Sequence, residues 1–133
     1  MMRESWLPAA PESALVARAI VHEAAVKLGL DGQATWELVL ATSEAVSNAI
    51  RHGAPCGNGG QGILVRVFPW NDRVYVEVCD CGEFEAKQFP PGLEATQGRG
   101  IPIITAVVDY FELLPDGPGT RVRFAKRRAR AAA

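Results

Sequence analysis

The apolar positions of this chain alternate between two periods, one near 3.6 residues and one of 2, in separate blocks. Over Thr35–Gly53 (TWELVLATSEAVSNAIRHG), Trp36, Val39, Leu40, Val46 and Ile50 collect on one face at about 100° per residue, which predicts an amphipathic helix. Glu44, Asn48 and His52 recur every four residues and form a single row beside that face. Ala41, Ala45 and Ala49 lie beside or behind the row and leave its surroundings thinly covered, and Gly53 stands where a C′ glycine ends a helix. Upstream, Pro11, Glu12 and Ser13 open a helix whose buried side carries Ala14, Ala17, Val21, Ala24 and Leu28. Gly29 and Gly32 break it, and His22 within it reads as a partly exposed structural histidine. Arg3–Leu7 is at most a short edge strand, stopped by Pro8 and Pro11.

Downstream the period shortens. Ala54–Gly62 is glycine-rich but precedes a strand and opens no helix, so it reads as a flexible turn rather than a phosphate cradle. Ile63–Phe68 and Val74–Asp80 form a hairpin, with Val74, Val76 and Val78 on its buried face and Tyr75, Glu77 and Cys79 on the other. Glu83–Gln97 keeps no period and holds Pro90-Pro91-Gly92; a surface loop of about 15 residues is long enough for a functional lid. Gly98-Arg99-Gly100 opens an apolar helix, Ile101–Val108, with Pro102 in its first turn, where a missing N–H is harmless. Tyr110–Leu114 and Thr120–Lys126 close the chain as a second hairpin. Helices mixed with hairpins predict an α+β layer sandwich, its helices packed on one face of the sheet.

Composition narrows the function classes. At 133 residues, 48% hydrophobic and 22% charged, the chain reads as a single ordered domain, 1–133. A net charge of −1 supplies no global field for nucleic acid or an anionic membrane. The basic cluster Lys126–Arg130 reads as a solvated tail, with 127–133 disordered. No apolar run approaches the ~20 residues of a membrane span, and the N-terminus lacks a signal-peptide core. The close spacing Cys79-Asp80-Cys81 is read as suiting neither a disulfide between the two nor joint metal ligation, and Cys56 adds no zinc-type pairing. A reduced, cytoplasmic protein is expected.

Four pieces carry candidate chemistry: Glu44, Asn48 and His52 on a helix, Asp80-x-Gly82 ending a strand, Gly98-x-Gly100 opening a helix, and Gly119-Thr120 opening the last strand. A carboxylate at a strand end can accept from the exocyclic amine of adenine, and a nearby glycine lets a flat ring approach the backbone. The N–H groups of Gly98–Gly100 form a phosphate cradle at a helix N-terminus, to which Arg99 adds charge. Asn48 offers a neutral oxygen to Mg²⁺, and Glu44 is placed to orient or deprotonate an attacking hydroxyl. Each piece has a structural explanation when taken singly: a turn-forming aspartate, helix-capping glycines, a solvated carboxylate, a helix-end histidine. Their joint occurrence in this order is what points to a nucleotide.

In that order, SEAVSNAIRHG, DCGEF, GRGIPIITAVVDYFEL and GTRVRFAKR resemble the N box and the glycine boxes of the GHKL superfamily, the ATP-binding Bergerat fold of gyrase-type ATPases and histidine kinases. They are most similar to the anti-sigma serine kinases (RsbW-like). The resemblance implies a two-layer sandwich with a mixed, mostly antiparallel sheet, and an ATP- and Mg²⁺-dependent protein serine/threonine kinase. Such a protein sequesters a sigma factor and phosphorylates a serine on a STAS-domain anti-anti-sigma partner, without touching nucleic acid or membrane. The family usually dimerises, so a homodimer is a further expectation. Carried over by position, Glu44 is the catalytic base and Asn48 the Mg²⁺ ligand. Asp80 reads adenine with Gly82 beneath the ring, Gly98 and Gly100 border the phosphates at the lid hinge, and Thr120 joins the adenine-side network. Phe84 departs from the pattern, standing where the wider superfamily often has a second glycine. A partner-sequestering module with little or no kinase activity is the alternative; Glu44 favours the kinase, because a nucleotide-gated binder needs no base there.

Overall fold

The computed structural model describes residues 1–52, 62–82, 100–117 and 119–128, of which 52, 100 and 101 by backbone alone. In chain order its elements are β1 (Arg3–Leu7), α1 (Glu12–Lys27), α2 (Gly32–His52), β2 (Ile63–Trp70), β3 (Arg73–Asp80), α3 (Gly100–Val107), β4 (Tyr110–Asp116) and β5 (Gly119–Arg127). The chain reverses between α1 and α2 at Gly29, whose φ of 88° favours glycine. Asp31 then caps α2, accepting the Ala34 N–H at 2.8 Å. Gly32 is thus the first residue of α2 rather than a breaker before it.

The buried face of α2 differs from the one expected. Ala34, Leu38, Ala41, Ala45 and Ala49, spaced at four, seven, eleven and fifteen residues, are all buried, with Thr42 and Val46 beside them. Trp36 is 60% exposed, and Val39, Leu40 and Ile50 are only partly covered. Alanine has no reach, so a stripe of it lets α2 settle close against the sheet and α1. The largest apolar residues therefore do not mark the packed side. Thr42 stays in this interior by donating its hydroxyl to the Leu38 carbonyl at 2.8 Å.

The strands form one sheet in the order β1-β2-β3-β5-β4, and every pairing among the described residues is antiparallel, so the expected mixed character is absent there. Val74, Val76 and Val78 of β3 join Val122 and Phe124 of β5 and the buried side chains of α1, α2 and α3 in a single core. Among the described residues, the helices cover this face. On the other, cross-strand neighbours Glu4, Arg66, Glu77, Arg123 and Glu112 form a row of alternating charge across all five strands. Glu77, 4% exposed, accepts from Arg123 at 2.7 Å and Arg66 at 3.4 Å.

Two expectations from composition are corrected. The basic cluster is built into the fold through its first three residues: Lys126 and Arg127 complete β5, and the Arg128 guanidinium donates to the Leu28 carbonyl at the end of α1 (3.3 Å). Cys79 is free and buried, its thiol pushed up to about 11 chiefly by burial, but Cys81 is disulfide-bonded, so the chain is not wholly reduced. Cys56 lies outside the described residues. No helix among the described residues is long and apolar enough to cross a membrane.

Candidate functional site

Strand phase decides where Asp80 points. It follows Val74, Val76 and Val78 at period two, so it leaves the sheet on the helix-bearing side and is 4% exposed. Its Oδ1 accepts the Gly82 N–H at 2.7 Å, closing a turn immediately after β3. Across the ladder Asp80 pairs with Thr120, fully buried, whose hydroxyl donates to the Gly82 carbonyl at 3.0 Å. Gly119 completes the knot. A Cβ there would lie 2.2 Å from the Asp80 carbonyl oxygen, so only glycine lets β5 approach so closely. Asp80, Gly82, Gly119 and Thr120 thus form one rigid cluster at the end of two central strands.

Glu44 and Asn48 are half-buried on α2, one turn apart, beside the buried stripe of Ala41, Ala45 and Ala49. α2 packs on β3, β5 and α3, so this edge, Asp80 and the beginning of α3 share one side of the sheet. α3 starts at Gly100 and is anchored by the fully buried Ile104. The side chain of His52 lies outside the described residues, as do Gly98, Arg99, Phe84 and the expected lid Glu83–Gln97. In chemical terms the described part offers a buried carboxylate beside a glycine turn, a second carboxylate with an amide next to it, and a helix N-terminus, all on one side of the sheet.

Two residues that sequence reasoning passed over join these elements. Lys126 lies 2.9 Å from Glu37 on α2 and donates to the Val107 carbonyl of α3 at 2.9 Å. That hydrogen bond from Lys126, then one from Gln33, holds the Glu37 carboxyl below the usual range. A signal for Lys126 was present: it continues the alternation Thr120, Val122, Phe124 that faces the helices.

A two-layer α+β sandwich of this topology, with an aspartate ending a central strand opposite a helix edge, is the Bergerat fold of the GHKL ATP-binding domains. The chain belongs to the histidine kinase-like ATPase domain family, whose model matches residues 7–126. Among its relatives is the Serine-protein kinase RsbW of Bacillus pumilus, 32% identical over 123 residues, which cover 83% of this chain and 76% of that protein. The crystal structure of the RsbU and RsbW domains of Rv1364c from Mycobacterium tuberculosis superposes with a TM-score of 0.75 at 25% identity over 99% of this chain. The present chain corresponds to only 34% of that one. The histidine kinase domain of the Erythrobacter litoralis EL346 blue-light activated histidine kinase shares the fold at a TM-score of 0.51 and 18% identity, over 71% of this chain and 45% of its own.

Proposed function

We propose that this chain is an ATP-dependent protein-serine kinase and anti-sigma factor of the RsbW type. It sequesters a sigma factor and phosphorylates a serine on a STAS-domain anti-anti-sigma partner. The observation that carries the reading is the common placement, on one side of the sheet, of buried Asp80 with its Gly82–Thr120 support and the Glu44–Asn48 edge of α2. The relative named Serine-protein kinase RsbW supports the transferase half of the proposal.

When bound, ATP supplies the phosphoryl group and Mg²⁺ offsets its charge. Asp80 would accept from the adenine amine, with Gly82 beside the ring. Thr120 keeps that turn in place through its bond to the Gly82 carbonyl. Asn48 would hold Mg²⁺ through its neutral amide oxygen, and the ion would offset phosphate charge. Gly98, Arg99 and Gly100, leading into α3, would cradle the phosphates, and His52 is carried as a further residue of the nucleotide site. Glu44 takes the proton of the partner's serine hydroxyl as it attacks.

Glu44→Gln tests the assignment. It is expected to keep ATP binding and abolish transfer to a STAS-domain serine in a radiolabel assay; transfer at the wild-type rate would remove Glu44 as the base.

A further inference from the structure

Lys126 performs a task that the site as described leaves unassigned. Its side chain leaves β5 on the same side of the sheet as Asp80 and Thr120 and is 12% exposed. The ammonium donates to the carbonyl of Val107, the last residue of α3, at 2.9 Å. It also lies 2.9 Å from Glu37 Oε1 and 3.6 Å from Asp109 Oδ2. Asp109 is itself fixed, accepting the Arg127 N–H at 2.7 Å and donating its own N–H to the Ala125 carbonyl at 2.9 Å. A cation on a terminal carbonyl complements the negative end of a helix, and an eight-residue helix has little stability of its own. The pose of α3 is therefore set by Ile104 in the core and by this tether.

The tether also sets a register. Glu37, Glu44 and Asn48 lie along one edge of α2, seven and four residues apart. From Gly100 to Val107 is again seven residues, a rise of about 10 Å, equal to that from Glu37 to Glu44. α2 holds only five residues before Glu37, and the packing of α3 on α2 fits a course from the tether back toward Glu44. On that course, tying Val107 to the level of Glu37 brings the first turn of α3 to the level of Glu44 and Asn48.

We propose that Lys126 is a positioning residue for the phosphate end of the nucleotide site, holding α3 at the register that sets its N-terminus opposite Glu44 and Asn48. This rests on the reading above, in which that N-terminus cradles the phosphates. The adenine end, built from Asp80, Gly82, Gly119 and Thr120, shares no bond with the tether among those described, so the two ends separate experimentally.

The test measures ATP and adenosine affinities of the full chain, by competition against a fluorescent ATP analogue, for wild type, Lys126→Met and Glu37→Gln. Misplacing the cradle in Lys126→Met is expected to weaken ATP by about tenfold or more while adenosine changes less than about twofold. Glu37→Gln, which keeps the bond to Val107, is expected to move ATP in the same direction by a smaller factor. Equal losses for ATP and adenosine, as general loosening of the fold produces, overturn the proposal, as does unchanged ATP affinity in both variants. A wild-type chain that binds ATP no better than adenosine overturns the phosphate site itself, and the role of Lys126 with it.

Discussion

Gly119 shows how one residue governs the Asp80–Thr120 cluster proposed to hold adenine. Any side chain there meets the Asp80 carbonyl oxygen at 2.2 Å, a backbone atom that cannot rotate away. Either β5 withdraws from β3 or the Asp80 turn shifts, and both disturb the Thr120–Gly82 bond. Gly119→Ala is expected to destabilise the fold by about 1–3 kcal/mol, the range for overpacking a closed site, read as a lower midpoint in urea denaturation. An unchanged midpoint would mean that the two strands part without penalty. Cys79, one position before Asp80 but on the opposite face, stays a buried thiol whose pKa of about 11 keeps it protonated near neutral pH.

At the scale of elements, the sheet carries a row of charges on the face that the described helices leave uncovered. Glu77 is nearly buried beneath Arg66, Arg121 and Arg123, whose side chains are each over a quarter exposed. Removing the carboxylate takes away the partner the three arginines share and leaves each with its outer one, Glu4, Asp116 or Glu112. Glu77→Ala is therefore expected to cost about 2–4 kcal/mol, below the upper end for a fully buried pair because the arginines keep part of their hydration. Thermal unfolding checks this, and an unchanged Tm would show that the row is decorative. The strands were legible in the sequence because Val74, Val76 and Val78 alternate cleanly with polar partners. The buried face of α2 was less so. Trp36 and Leu40 attract attention by size, whereas the packed stripe is mostly alanine, whose burial shows only in its spacing.

Across the whole molecule, the cluster of Asp80, Gly82, Gly119 and Thr120, proposed as the adenine end, was readable because strand phase and a tight turn are local properties, visible in DCG and GT. Lys126 was not, because a run of basic residues near a terminus reads as a tail. Only the strand alternation carried through residue 126 shows that it turns inward to Glu37 and Val107. The disulfide at Cys81 was also illegible, since the spacing of Cys79 and Cys81 speaks only to a bond between those two. What spans the molecule is the joining of distant segments on one side of a single sheet: α2 from the first half of the chain, the end of β3, and α3 with β5 from the last third.

That joining is the central claim, and titration calorimetry of Mg²⁺·ATP into the wild-type chain and Asp80→Asn tests it most directly. Wild type is expected to bind, and the variant to bind more weakly by about 1–3 kcal/mol, the scale of a lost buried, charge-assisted hydrogen bond. Equal affinities for the two would contradict it and remove Asp80 from the nucleotide site.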